Sequence, residues 1–288
     1  MSDRRITAAN GRVAAAHLKG KVAAKLYVEG TPLVIGACAG FLRATPGGVA
    51  DRQVVLGEAV QKYDEQDGWA FVQADKDGYV GWIEVAHLNA PHRPSHRVAL
   101  RHTLAFEKPD IKSALLFRPP FGAPLEVTGA KGIWSQIATP GQPVAWVRRD
   151  HLRPVTSVED DPVAVAEVFL GTPYLWAGNT GDGLDCSGLV QIALLACGID
   201  CPGDSDLIEA AVGDRLDEGA TLQRGDLVFW KGHVALAMDA SRIIHASAGP
   251  LATVIEDTAA AIKRIEAAGD GLPTSRRRIA GLRLRGSA

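Results

Sequence analysis

Three side chains stand where covalent chemistry needs them. Cys186 lies in Asp185-Cys186-Ser187-Gly188, behind a loop rich in glycine (Gly178, Gly181, Gly183). It opens an apolar stretch that reads as a buried helix to about Cys197, where Gly198 stops it. A helix N-terminus favours the thiolate, the attacking form of cysteine, although the same position also suits a cysteine that is merely buried. His233 follows Gly232 and opens the run Val234-Ala235-Leu236, and His245 stands 12 residues on in Ile243-Ile244-His245-Ala246. Two strands joined at about Asp239 to Ser241 bring these imidazoles near each other, and an odd-length turn or a bulge puts them on one face. A thiol, an imidazole base (His233) and a second polar group orienting it (His245) make a generalised triad. Cys38, Cys197 and Cys201 read as structural.

The rest of the chain must position those groups. Its 288 residues carry 31 Lys and Arg against 33 Asp and Glu, a net charge of −2. A hydrophobic share of 47% with 22% charged residues supplies sizeable cores and excludes a wholly disordered chain. The length points to about two domains. Near-neutral charge gives no reason to expect nucleic acid or an anionic membrane as partner. Arg276, Arg277, Arg278, Arg283 and Arg285 cluster near the C-terminus and read as a solvated terminal strand with a basic edge. No apolar run approaches the ~18 residues of a membrane span. The apolar run Val13 to Ala16 is broken by His17 and Lys19, too short for a secretory signal, so the protein is expected in the cytoplasm. His92 and His96 flank Pro94 and are no ligand pair, and neither metal nor cofactor is expected.

An internal repeat occupies the first half. One copy runs from Gly57 to Leu88 and the other from Gly122 to Pro154; Gly57 precedes Trp69 by 12 residues, and Gly122 precedes Trp134 by 12. Trp82 and Trp146 follow, and His87-Leu88 and His151-Leu152 close the copies. Short alternating runs between glycine turns predict small all-β barrels, with the tryptophans as barrel core. Beyond Ser157 the character changes. Pro162, capped by Asp160 or Asp161, opens a helix from Val163 to Leu170. After the Cys186 helix, strands are predicted at Asp226 to Trp230, His233 to Met238, Arg242 to Ala246 and Leu251 to Ile255. A helix from Thr258 to Ala268 and a last strand from Ile279 to Leu284 follow. Helices first and an antiparallel sheet after is an α+β pattern.

The motifs Asp-Cys-Ser-Gly-Leu-Val, Gly-His-Val-Ala-Leu and Ile-Ile-His-Ala-Ser, in that order, resemble the NlpC-type papain-like cysteine peptidases of bacterial cell-wall metabolism. The repeat resembles bacterial SH3-like domains, which often accompany such enzymes. The resemblance implies a multidomain chain: an extension at 1–21, SH3-like barrels at 22–90 and 97–154, and an α+β catalytic domain at 158–286. It implies Cys186 as nucleophile, His233 as base, His245 as third member and Tyr174, in Pro-Tyr-x-Trp-x-Gly, beside the oxyanion, with Ser187 at the substrate.

Pro202-Gly203-Asp204-Ser205 is similar to a segment of the γ-D-glutamyl-L-diamino acid endopeptidases. Those enzymes cut murein peptides of the type L-Ala-γ-D-Glu-diaminopimelate and require a free L-alanine amine. The resemblance implies that Asp204 and Ser205 bind that end and that Tyr79 closes it. Gly203, where the family has Arg, and Thr45, where some relatives have an acid, depart from the pattern. Two other readings remain: an exported wall-binding hydrolase of broader specificity, and an acyltransferase or amidase on the same scaffold. The oligomeric state is not written in the sequence.

Overall fold

The repeat folds twice into the same sheet. In the computed structural model, which describes residues 3–282, the chain divides into two units, Met1–Ser157 and Val158–Ala288. In the first unit a parallel pair, β1 (Val13–Ala15) and β2 (Leu26–Val28), comes ahead of the repeat. The first repeat copy, with the residues from Thr31 that lead into it, forms one sheet of β3 (Thr31–Ile35), β4 (Ala39–Arg43), β5 (Ala50–Val55), β6 (Ala59–Gln66), β7 (Trp69–Ala74), β8 (Val80–Glu84) and β9 (Leu88–Asn89). The second, with the residues from His96 that lead into it, forms another of β10 (His96–Val98), β11 (Ala105–Phe106), β12 (Leu115–Phe117), β13 (Pro124–Lys131), β14 (Trp134–Ala138), β15 (Ala145–Arg148) and β16 (Leu152–Pro154). The strand orders are 5-4-8-7-6-3-9 and 12-11-15-14-13-10-16, the same order strand for strand. Even the β-bulges correspond, between Lys62 and Asp64 and between Val127 and Gly129. Gly57 and Gly122, the first residues of the two repeat copies, have φ of +81° and +77°, a region that glycine enters without steric cost.

The tryptophans depart from the expectation. Val60, Val72 and Ile83 fill the first sheet's core, whereas Trp82 packs outside it with Phe71 and Val80, against Ala8 and Ala15. The segment before the repeat is therefore a cover laid over an aromatic face. It is held by the Arg5 carbonyl, which accepts from the Val80 amide, and by Arg12, which pairs with Asp64. Only contacts between residues far apart in sequence decide this.

The second unit begins with α1 (Pro162–Glu167), capped by Asp161, whose carboxylate accepts from the amides of Val163 and Ala164. The helix is shorter than the expected run to Leu170, ending in turns before Gly171 at φ +79°. A small hairpin of β17 (Asn179–Thr180) and β18 (Gly183–Leu184) leads into α2 (Cys186–Ala196), and α3 (Ser205–Ala211) follows. The sheet comprises β19 (Asp214–Arg215), β20 (Leu227–Trp230), β21 (His233–Ala237), β22 (Arg242–Ser247), β23 (Ala252–Asp257) and, after α4 (Thr258–Ala267), β24 (Ser275–Arg278), in the order 19-24-20-21-22-23. One face carries Val228, Ala235, Ala237 and Ile243 against Ala261 and Ile265 of α4. Helix α2 packs on β21 and β22, and its Leu189, Val190 and Leu194 are wholly buried. At about 1.5–3 kcal/mol for each such side chain, burial and not local propensity holds this helix in place.

The last strand is displaced from the expected Ile279 to Leu284, of which 283 and 284 lie outside the described residues; residues 279–282 form no strand. Arg276, Arg277 and Arg278 do lie on a terminal strand, β24, but it is no solvated edge, since it runs between β19 and β20. Arg278 forms an ion pair with Asp226 at 2.7 Å, and Arg277 donates to the Gly213 carbonyl. Arg283 and Arg285 of that cluster also lie outside the described residues. Among the described residues no helix is long and apolar enough to cross a membrane.

Candidate active site

Cys186 is the first residue of α2, and Asp185 is its N-cap, accepting from the Gly188 amide at 2.6 Å and from the Ser187 hydroxyl at 2.9 Å. The glycine of this motif has a steric cause. A Cβ at position 188 would lie 2.3 Å from the Gly178 carbonyl oxygen, which accepts from the Asp185 amide. The glycine-rich loop thus rests directly on the helix that presents the thiol.

The hairpin of β21 and β22 answers the parity question. Leu236 pairs with Ile244 and Ala237 with Ile243, leaving an odd-length turn. His233 and His245 therefore share a face. The His233 Nε2 lies 2.8 Å from His245 Nδ1, and the rings meet edge-on at 5.0 Å. Trp230, also fully buried, lies tilted against His233 at 5.5 Å. The thiol reaches the strand at the same point: Sγ is 3.9 Å from the Gly232 carbonyl, and the Val234 amide donates to it. The two residues that flank His233 thus both touch the sulfur.

Sequence reasoning missed the next link. His245 Nε2 lies 2.7 Å from Glu256 Oε2. Arg264 of α4 holds that carboxylate with Nη2 at 2.5 Å and Nε at 3.1 Å, and Nη2 also lies 3.4 Å from the Ser247 hydroxyl. The β22–β23 register pairs Ile243 with Glu256, so Glu256 stands on the histidine face, diagonal to His245. An acidic pair, Glu256-Asp257, closing an apolar strand 11 residues past His245 was the available signal.

The electrostatics run against the helix-dipole expectation for the thiol. Burial, and next the Asp185 carboxylate, push Cys186 up to about 12, while the amides of Val234, Ser187 and Cys186 pull the other way. Burial also lowers His233 to about 3, helped by His245 and Arg264. At rest the pair is thiol and neutral imidazole. Tyr174 stands close enough to Cys186 and Asp185 to feel both, and burial followed by those charges raises its phenol, which stays a hydroxyl donor. Its amide donates to the Leu251 carbonyl. Leu251 at φ +52° and Ala177 at φ +63° border this segment, and such strain in non-glycine residues gathers where a loop is held for a purpose.

Gln191, also unforeseen, ties the surroundings to α2. Its Nε2 donates to the Cys201 carbonyl at 3.0 Å, and its Oε1 accepts from Asn179 at 3.4 Å. The loops on both sides of Cys186 are thereby anchored to one buried side chain. Asp204 is the N-cap residue of α3 but makes no side-chain capping bond, and Ser205, the first helical residue, is buried. Tyr79 belongs to the first unit, where its side chain is buried in the core of the first sheet.

Residues 171–262 match the NlpC/P60 family, and residues 42–88 match a bacterial dipeptidyl-peptidase Sh3 domain. Over 224 residues the chain is 27% identical to the gamma-D-glutamyl-L-lysine dipeptidyl-peptidase of Bacillus cereus, covering 68% of this chain and 66% of that relative. The protein of the same name from Bacillus subtilis is 29% identical over 225 residues, covering 68% of this chain and 72% of the relative. A solved NlpC/P60 family protein from Bacillus cereus superposes with a TM-score of 0.70 at 22% identity, covering 86% of this chain and 99% of that one, a likeness of fold.

Proposed function

The chain carries an NlpC/P60 domain preceded by a bacterial SH3 domain, and on that premise we propose that it is a cysteine peptidase of murein peptides. It hydrolyses the bond between γ-D-glutamate and the diamino acid in peptides that begin with a free L-alanine. We assign the second seven-stranded sheet to a second SH3-like domain, because its strand order repeats the first. We assign the catalytic unit to the papain-like class, because a helix-borne thiol faces histidines on an antiparallel sheet.

The observation that carries the reading is the thiol at the start of α2, touching both neighbours of a histidine whose ring is backed by a second histidine at 2.8 Å. The thiol loses its proton to His233 as sulfur attacks the glutamyl carbonyl, which avoids a standing thiolate in a dry site. The negative oxygen that forms is met by the Cys186 amide and the Tyr174 hydroxyl, donors fixed before the reaction; each is worth about 10²–10³ in kcat. His233 then gives its proton to the departing amine, leaving an acyl-cysteine. Water, deprotonated by the same imidazole, releases the acid and restores the thiol.

The bond specificity rests on the relatives' printed names, which specify a γ-D-glutamyl linkage. In this reading Asp204 receives the alanine ammonium, with Ser205 and Ser187 as further substrate contacts; Tyr79, the residue expected to close that end, is buried in the core of the first sheet and takes no part. Mass analysis of products from L-Ala-γ-D-Glu-meso-diaminopimelate tests it. The expected products are L-Ala-D-Glu and free diaminopimelate, with the N-acetylated tripeptide cut at least about 100-fold more slowly. Equal rates on both peptides refute amine recognition. Acyl transfer to an added amine in place of hydrolysis returns the protein to the acyltransferase reading.

A further inference from the structure

The chain of groups behind the base ends in a carboxylate, and that end fixes the direction of every hydrogen bond before it. His245 is completely buried, so no water serves its Nε2. Its partner there is Glu256, 24% exposed and clamped by two nitrogens of Arg264. An ionised carboxylate only accepts, so Nε2 of His245 carries the hydrogen. In a neutral imidazole the other nitrogen is then bare, and Nδ1 of His245 must accept. The group within 2.8 Å of it is Nε2 of His233, which therefore donates. That leaves Nδ1 of His233 bare. Nδ1 is the ring nitrogen nearer its own backbone, the side on which Sγ touches Gly232 and Val234.

We propose that Glu256, held by Arg264, is a positioning residue that locks the tautomers of both histidines so that Nδ1 of His233 is always the nitrogen free to take the thiol proton. With the opposite tautomers the same four side chains, in the same places, would present an N–H to the sulfur and have no base. Burial lowers His245 below its ordinary value despite Glu256, which keeps it in the neutral form that the relay needs. Burial would raise Glu256, but Arg264 and then His245 outweigh it and keep the acid ionised. The inference uses Cys186 and His233 as the reacting pair of the function proposed above, but its readout needs no peptide.

The test is nitrogen NMR of the full chain with 15N-labelled histidine at neutral pH, comparing wild type with Glu256→Gln. Glutamine has the same shape but offers either an N–H or an oxygen to His245, so the fold is kept and the lock is lost. Wild type is expected to show both histidines protonated at Nε2 only. Glu256→Gln is expected to show a mixture with Nδ1–H forms at both. Iodoacetamide should alkylate Cys186 about 10-fold or more slowly in the variant, and kcat on the tripeptide should fall about 10- to 100-fold with KM little changed, as when an orienting partner is lost. Glu256→Asp should restore the single tautomer and part of the rate. Wild-type tautomers in Glu256→Gln, or a mixture already present in wild type, overturn the inference. If the NMR and alkylation results hold while the tripeptide is untouched by wild type, the substrate reading fails and the lock stands.

Discussion

Replacing Gly188 by alanine sets two effects against each other. By helix propensity the change should help, since alanine is favoured over glycine by about 1 kcal/mol in a helix interior. The packing says otherwise. The new Cβ would stand 2.3 Å from the Gly178 oxygen, 3.1 Å from Asp185 Oδ1 and 3.3 Å from Asn179 Oδ1. An ordinary carbon–oxygen contact is roughly 3.3 Å or more, so the loop must retreat by about 1 Å. Overpacking of that kind costs about 1–3 kcal/mol. The retreat also strains the Asp185–Gly188 cap, a bond of the type worth about 0.5–2 kcal/mol. The net expectation is a loss of about 1–3 kcal/mol and a lower Tm by circular dichroism. Activity should suffer more than stability, because the loop carries Tyr174 and a shift of about 1 Å at such a site costs about 100-fold. Steady-state kcat/KM on the tripeptide measures that loss. If Gly188→Ala melts at or above the wild-type temperature and turns over normally, propensity has won and the close approach has no consequence.

Cys186→Ala should abolish turnover with the fold intact, whereas the same change at Cys38, Cys197 or Cys201 should leave turnover near wild type; activity without Cys186 would remove the nucleophile from the mechanism. Tyr174→Phe, which removes one donor and keeps the ring, should lower kcat about 100-fold; an unchanged kcat excludes the phenol from the oxyanion site. His233 and His245 are both pulled below their ordinary value by burial, so the unfolded chain binds protons that the folded chain does not. Stability is then complete above pH ~6.5 and is lost as pH falls toward about 3, by about 1.4 kcal/mol per unit for His233, with His245 acting in the same direction; urea titrations at pH 7 and 5 should differ by at least about 2 kcal/mol, and a flat profile contradicts it. Arg278→Met removes the cation from Asp226, whose side chain is 1% exposed and keeps the Gln223 amide as a donor, and should cost about 1–3 kcal/mol in the same urea assay.

What the sequence disclosed depended on how far apart the cooperating residues lie. Cys186 announced itself through its own helix start, and the pairing of His233 with His245 needed only the length of one turn. Glu256 needed the register of a second hairpin, and Arg264 the docking of a helix, so neither showed. The cover over Trp82 joins residues about 70 apart, and no local pattern encodes it. Arginines 276–278 misled because charge suggested solvent, whereas the guanidinium groups of Arg277 and Arg278 are spent on a carbonyl and a buried acid inside the sheet. The thiol misled differently: the helix terminus acts as expected, but burial at that terminus is the larger effect.

His233, His245, Glu256 and Arg264 all come from one unbroken stretch, folded as consecutive hairpins and a helix. Contacts this local close early, because little loop entropy opposes them. The sulfur arrives separately, on a helix that precedes this stretch, packs on α1 and completes its burial by docking on β21 and β22. A chain emerging during synthesis therefore exposes its cysteine well before the histidine pair can form, and can complete that pair before the sulfur is seated. Reactivity is the product of two independently forming halves. A partly folded molecule holds an ordinary thiol, and the full arrangement of thiol, histidines and carboxylate appears only with the last step of assembly.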